Sequence, residues 1–246
     1  MQNPTQAPLL ELRKVTFSYE QRAKPVFEQL DFSFPGNRMG LIGDNGSGKT
    51  TLLHLLVGLL KPTTGMVYFQ GNPIQSDTDL VQLRRSVGMV FQQADDQLFC
   101  PTVLEDVAFG PLNLGQTSRQ AKATALEVLQ LLRMENYIER ITHTLSGGEK
   151  RMIALATVLA MNPKVLLLDE PTNDLDRTAK NRLLTTLQAL EIPMIIISHD
   201  WDLLSKLADG YVALENGKLT FSEQMEIHNH KHAHPMGSHT HEHQHC

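Results

Sequence analysis

Residues Gly43-Asp44-Asn45-Gly46-Ser47-Gly48-Lys49-Thr50 fill every position of the phosphate-binding pattern G-x-x-x-x-G-K-[ST]. Such a loop works only between a strand and the N-terminus of a helix, so it commits the chain to an α/β layered fold. Its flanks agree. The apolar run Met39 to Ile42 predicts a buried strand, and Lys49 to Leu60 predicts a helix ended by Lys61-Pro62. Gly46 and Gly48 let the backbone turn several N–H groups into one concavity. The helix N-terminus adds partial positive charge there. Lys49 brings a full charge to the outer phosphates, and the Thr50 hydroxyl can ligate Mg²⁺. Gly43, Asn45, Gly46, Ser47, Gly48, Lys49, Thr50 and Thr51 are therefore the expected nucleotide-binding residues.

The same alternation continues along the chain. Val165 to Leu168 and Met194 to Ile197 read as further buried strands, each followed by a polar turn and a helical pattern. Ser118 is the expected cap of a helix whose apolar face is Leu126, Leu129 and Leu132, and Arg177 to Leu190 reads as another amphipathic helix. Asn216-Gly217, between Tyr211–Leu214 and Leu219–Phe221, signals a hairpin. A largely parallel sheet follows, with a mostly helical subdomain at about 93–161 inserted between two of its strands. The expected organisation is one globular domain over 1–221 and a flexible tail over 222–246.

Val165-Leu166-Leu167-Leu168-Asp169-Glu170 ends an apolar strand in two carboxylates. In phosphate-loop NTPases an aspartate here helps hold Mg²⁺, and the adjacent Glu170 can polarise an attacking water. Met194 to Asp200 repeats the theme and places His199 at a strand end, where ligands collect in parallel sheets. Taken alone, either feature also fits an exposed strand end or a satisfied structural histidine.

A net charge of −5 over 246 residues gives no electrostatic reason to expect nucleic acid as a partner. Two cysteines, Cys100 and Cys246, cannot build a disulfide framework and fit a reducing compartment. Met1 to Pro8 lacks the pattern of a signal peptide. Leu52 to Leu60, the longest apolar stretch, is broken by His54 and too short to span a bilayer. Any membrane role must come from docking on another chain.

Leu145-Ser146-Gly147-Gly148-Glu149, between the phosphate loop and the acidic strand end, completes an ordered set of motifs. With Gln92, Asn173-Asp174-Leu175-Asp176 and His199, that set resembles the ATP-binding subunits of ABC transporters over about residues 9–220. The resemblance implies ATP hydrolysis with Mg²⁺ held at Thr50, Gln92 and Asp169. It makes Glu170, His199 and Gln92 the catalytic set. It also implies a head-to-tail dimer, with itself or a related ATPase, in which Ser146, Gly147, Gly148 and Glu149 contact nucleotide bound by the other subunit. Tyr19 matches the aromatic that stacks on adenine in such proteins; core packing is the other reading of that residue. Asn173 departs from the usual Ser or Ala, and Glu149 from the frequent Gln.

The segments Val87–Phe99 and Glu105–Gly115 resemble the ATPases of energy-coupling factor importers, cobalt and nickel members especially, with Ala94 departing from the common Pro. Those ATPases sit on the cytoplasmic face of the membrane, beside a transmembrane coupling subunit and a substrate-capturing membrane protein. The tail carries His228, His230, His232, His234, His239, His241, His243 and His245, which suit Ni²⁺, Co²⁺ or Zn²⁺. Met236-Gly237-Ser238-His239 also has the look of a vector sequence. The expected function is the ATPase of a nickel or cobalt importer. An importer for another ion or a vitamin, or a soluble non-transport ABC ATPase, are the alternatives.

Overall fold

The computed structural model describes residues 7–21 and 24–222. Two sheets form its frame. Strands β1 (Leu10–Phe17), β2 (Phe27–Phe34), β4 (Thr64–Phe69) and β5 (Asn72–Pro73) make an antiparallel sheet in the order β2-β1-β4-β5. Strands β3 (Arg38–Ile42), β6 (Val87–Val90), β7 (Val165–Asp169), β8 (Met194–Ile197), β9 (Gly210–Glu215) and β10 (Lys218–Ser222) make the second, in the order β10-β9-β3-β8-β7-β6. All of its pairings are parallel except that of the terminal hairpin. The antiparallel sheet was not among the expectations from sequence. Within β1, register shifts flank Val15 and Lys14 takes φ 51°, so the period-two signal is broken.

The helices are α1 (Lys49–Leu56), α2 (Asp77–Ser86), α3 (Val103–Asn113), α4 (Ser118–Leu131), α5 (Gly147–Leu159), α6 (Arg177–Ala189) and α7 (Trp201–Leu207). Side chains alternate across the parallel sheet and feed two cores. Leu167, Ile195 and Ile197 face α1 and the antiparallel sheet, meeting Leu52, Leu56, Leu12 and Phe34. Leu166, Leu168 and Ile196 face the other way, toward Ile153 of α5 and Leu183 and Leu187 of α6. Both faces of β7 are thus covered, which is why its sequence is a continuous apolar run.

Two boundaries differ from expectation. Helix α1 stops at Leu56, because Gly58 turns left-handed (φ 70°) and the Leu59 and Leu60 amides fold back to the His54 carbonyl. Helix α4 is capped by Thr117, whose hydroxyl accepts from the Gln120 amide, leaving Ser118 as its first residue. Its buried face runs through Ala121, Ala125, Leu129 and Leu132, with Leu126 only half-buried. Helices α3 to α5 lie between β6 and β7 in the chain. Asn216 and Gly217, both at positive φ, make the two-residue turn of the β9–β10 hairpin. The histidines from His228 to His245 lie outside the described residues.

Candidate nucleotide site

Strand register brings the site together. Gly40 and Leu168 both pair with Ile196, and Val90 pairs with Leu168, so the carboxyl ends of β3, β8, β7 and β6 are level. The segments leaving those ends, Gly43–Gly48, Ser198-His199, Glu170 and Phe91-Gln92, therefore converge at the crevice where ligands of parallel sheets bind. They line a cleft of about 540 Å³ with Tyr19, Val26, Asn173 and the first turn of α1.

The phosphate loop is a backbone cradle. Gly48 stands at φ 109° as N-cap of α1, and a Cβ there would lie 2.8 Å from Val26 Cγ1. Both conformation and space therefore require glycine. Lys49 is buried, and its Nζ donates to the Gly43 carbonyl at 2.6 Å and the Asp44 carbonyl at 3.0 Å. Burial lowers its pKa, opposed by Glu170, Asp169 and Asp44. Thr51 is buried, and its hydroxyl is 3.0 Å from the Tyr19 hydroxyl. That bond and an edge contact with Phe17 hold the Tyr19 ring over the cleft, half outside the core.

Asp169 is 1% exposed, and neither carboxylate oxygen has a hydrogen-bond partner among the described residues. A buried, unsatisfied carboxylate is costly unless something else neutralises it. With Thr50 and Gln92 lining the same cleft, the donors are oxygens of the hard type Mg²⁺ prefers. The residues present fit that ion. Burial raises the Asp169 pKa, opposed by the Thr50 hydroxyl and the charges of His54, Lys49 and Arg151.

Glu170 is also buried, at φ 47°, an uncommon conformation outside glycine. Its amide donates to the Ile197 carbonyl at 2.9 Å. The His199 amide donates to Glu170 Oε2 at 3.3 Å, and His199 Nε2 lies 3.4 Å from Oε1. His199 Nε2 also lies 3.2 Å from Asn45 Oδ1, joining the phosphate loop to the acidic strand end. Burial raises the Glu170 pKa, opposed by His199 and its backbone amide.

These shifts have a measurable sign. A raised carboxyl pKa means that the folded chain binds the proton more tightly than the unfolded chain. Nucleotide-free protein should therefore lose stability as pH rises from the ordinary carboxylate range through the raised values of Asp169 and Glu170. Asp169→Asn should remove its share, stabilising the nucleotide-free protein at neutral pH relative to the parent, while abolishing Mg²⁺-dependent turnover. Thermal melts at acid and neutral pH check this; an unchanged pH slope in the variant would contradict it.

Ser146, Gly147, Gly148 and Glu149 do not join this cleft. They line a separate hollow with Asp174, Asp176 and Arg182, and no lining residue is shared. Ser146 caps α5, and Glu149 closes the capping box by accepting from the Ser146 amide at 2.7 Å. A Cβ at Gly147 would meet nothing within 4 Å, and its φ is not positive. Nothing among the described residues demands glycine there, whereas close approach by an outside group would.

Sequence reasoning missed Arg151. It is 5% exposed, and its guanidinium donates to the carbonyls of Phe91 (3.0 Å), Gln92 (2.6 Å) and Asn173 (3.4 Å). An arginine inside the apolar stretch of α5 was the available signal, since such a charge needs buried partners.

Phosphate loop, paired strand-end acids and convergent strand ends define a phosphate-loop ATPase. A family profile, ABC transporter, matches residues 27–173. A putative ABC transporter ATP-binding protein of Nitratidesulfovibrio vulgaris is 48% identical over 232 residues, 94% of this chain and 85% of that one. The energy-coupling factor transporter ATP-binding protein EcfA of Methanothermobacter thermautotrophicus is 42% identical, covering 86% of this chain and 69% of that one. The cobalt import ATP-binding protein CbiO of Rhodobacter capsulatus is 42% identical, covering 86% and 77%. Among solved structures, CbiO1 of Clostridium perfringens, part of the transporter complex cbiONQ, matches with TM-score 0.78 and 31% identity, covering 89% of each chain. The ATP-binding cassette MJ0796, a dimer bound to ADP and Pi, matches with TM-score 0.78 and 26% identity, covering 87% of this chain and 98% of that one. The chain belongs to the ABC transporter family as an ATP-binding, ATP-hydrolysing subunit. Among the described residues no helix is long and apolar enough to cross a membrane.

Proposed function

We propose that this chain is the ATPase of a membrane importer for cobalt or nickel ions, docked on the cytoplasmic face of a transmembrane coupling subunit. The observation that carries the reading is the similarity to a cobalt import ATP-binding protein across 86% of the chain. A second feature supports docking. Between α3, α5 and β6 runs a groove of about 240 Å³ that exposes Leu59, Phe99 and Phe109. Asp106 lines it, 2% exposed, with Oδ2 unpartnered among the described residues. Arg84 and Arg85 also line the groove, so its charge is already mixed, and its mostly apolar lining suits an apolar segment of a partner.

In this reading two cassettes pair, this chain with itself or with a related ATPase. Tyr19 stacks on adenine. The phosphate loop and Lys49 hold the phosphates, Lys49 exchanging its carbonyl bonds for phosphate oxygens. Thr50, Asp169 and Gln92 would hold Mg²⁺, which when bound neutralises phosphate charge. Glu170 orients a water in line with the γ-phosphorus and takes its proton as the bond to the β-phosphate oxygen breaks. His199 and Asn45 hold Glu170 and the phosphate loop in register. The turn Ser146 to Gly148 offers free N–H groups and a helix N-terminus to the γ-phosphate of the other subunit.

The histidines from His228 to His245 are proposed to hold the cargo ion near the complex. Among the described residues no cluster of three metal-ligating side chains competes for that role. Cellular uptake of radioactive Co²⁺ and Ni²⁺ tests the proposal in strains with the gene, without it, and with a gene ending at Phe221. Loss of uptake on deletion is the expected result, with a weaker deficit at low metal for the shortened chain. Unchanged uptake of both ions on deletion would remove the metal assignment.

A further inference from the structure

The segment Phe91 to Gln97 passes from the nucleotide cleft to the groove: Gln92 lines the first, Gln97 the second. Gln97 is half-buried, and all of its amide is engaged. Its Oε1 accepts from the Phe91 amide at 3.3 Å. Its Nε2 donates to the Ala154 carbonyl and to Thr157 Oγ1, both at 2.9 Å. Ala154 and Thr157 belong to α5, the helix that begins at Gly147. From the other side Arg151, also on α5, bonds the Phe91 and Gln92 carbonyls. The segment Phe91-Gln92 is therefore held at the Phe91 N–H by Gln97 and at both of its carbonyls by Arg151, and both anchors are fixed to one helix. Lys150 adds an ion pair from α5 to Asp95, within the same segment.

We infer that Gln97 is a positioning residue for hydrolysis, tying Gln92 to α5 so that Gln92 and the Ser146–Gly148 turn move as one body. The inference rests on the proposed role of Gln92. Two sites are coupled when both bias one element with discrete arrangements, and here that element is α5 with its attached loop. Because Gln97 also lines the groove, a segment seated there would press on the amide that fixes Gln92. Among the described residues no bond made by Gln97 reaches the cleft directly, so its effect must pass through the Phe91-Gln92 segment.

Gln97→Met keeps length and volume while removing all three bonds. Steady-state ATP hydrolysis by the full chain should show kcat lower by about five- to twenty-fold, with KM for ATP within about two-fold, as for an interaction lost only in the transition state. Gln97→Glu, which keeps an acceptor for the Phe91 amide, should retain more turnover than Gln97→Met. The decisive readout is a double-mutant cycle with Gln92→Ala. If Gln97 acts through Gln92, the double variant should be no slower than Gln92→Ala alone. A lower melting temperature with kcat unchanged would mark Gln97 as merely structural and overturn the inference. Losses that multiply in the double variant would overturn it too. If Gln92→Ala turns over at the parent rate, the role of Gln92 fails first, a result separable from failure of the Gln97 link.

Discussion

Lys49→Ala is expected to lower ATP turnover by about 10²–10³-fold, because among the described residues no other full positive charge lines the phosphate cradle. Lys49 Nζ sits among carbonyl oxygens of the loop, bonded to Gly43 and Asp44. It is partly desolvated there, and that burial lowers its pKa. Transfer of its bonds to phosphate oxygens therefore needs little reorganisation. Alanine leaves those carbonyls without their donor and the phosphates without a counter-charge, so binding and turnover should both suffer. Binding of a fluorescent ATP analogue and phosphate release, measured on the same preparation, check both. Turnover within two-fold of the parent would show that the cleft is not where ATP reacts.

Glu170→Gln is expected to lower turnover by about 10²–10⁴-fold while leaving ATP binding intact. The amide is isosteric and can still accept from the His199 amide, so the contact that orients the side chain survives. What it loses is the basic oxygen that would receive the proton of water. The left-handed backbone of Glu170 is a further sign of function, since a strained residue persists where its surroundings over-determine it. Single-turnover quench experiments should show ATP bound and uncleaved. Cleavage at the parent rate would remove Glu170 from the chemistry.

Local signals made half of the fold legible. The phosphate loop, the runs Val165–Leu168 and Met194–Ile197 and the Asn-Gly turn each carry their own conformational cause, and the parallel sheet follows from them. The antiparallel sheet was not legible, because β1 is interrupted at Lys14 and β5 is two residues long. The end of α1 was misplaced because Lys61-Pro62 is a conspicuous stop and Gly58 a quieter one. At the site, the motifs carry Tyr19, Lys49, Thr50, Gln92, Asp169, Glu170 and His199 of the cleft lining, while Val26 and Ile197 line it without belonging to the named set; the connections among these residues are not written in any motif. The Tyr19–Thr51 bond joins residues 32 apart, and His199 meets Asn45 across 154. The bonds of Arg151 and Gln97 are hidden for the same reason: their partners are mostly backbone groups, which pattern reading does not see.

Ser146–Gly148 lie apart from the chain's own cleft, and the proposed function makes a second cassette part of the active site. The most direct measurement of this is the mass of the Glu170→Gln protein in solution by light scattering, with and without Mg²⁺ and ATP. Without nucleotide the expected mass is that of one chain, 27.6 kDa. With nucleotide it should rise to about twice that, with one ATP per chain trapped. A mass that stays at one chain while ATP fills every site would contradict a shared active site.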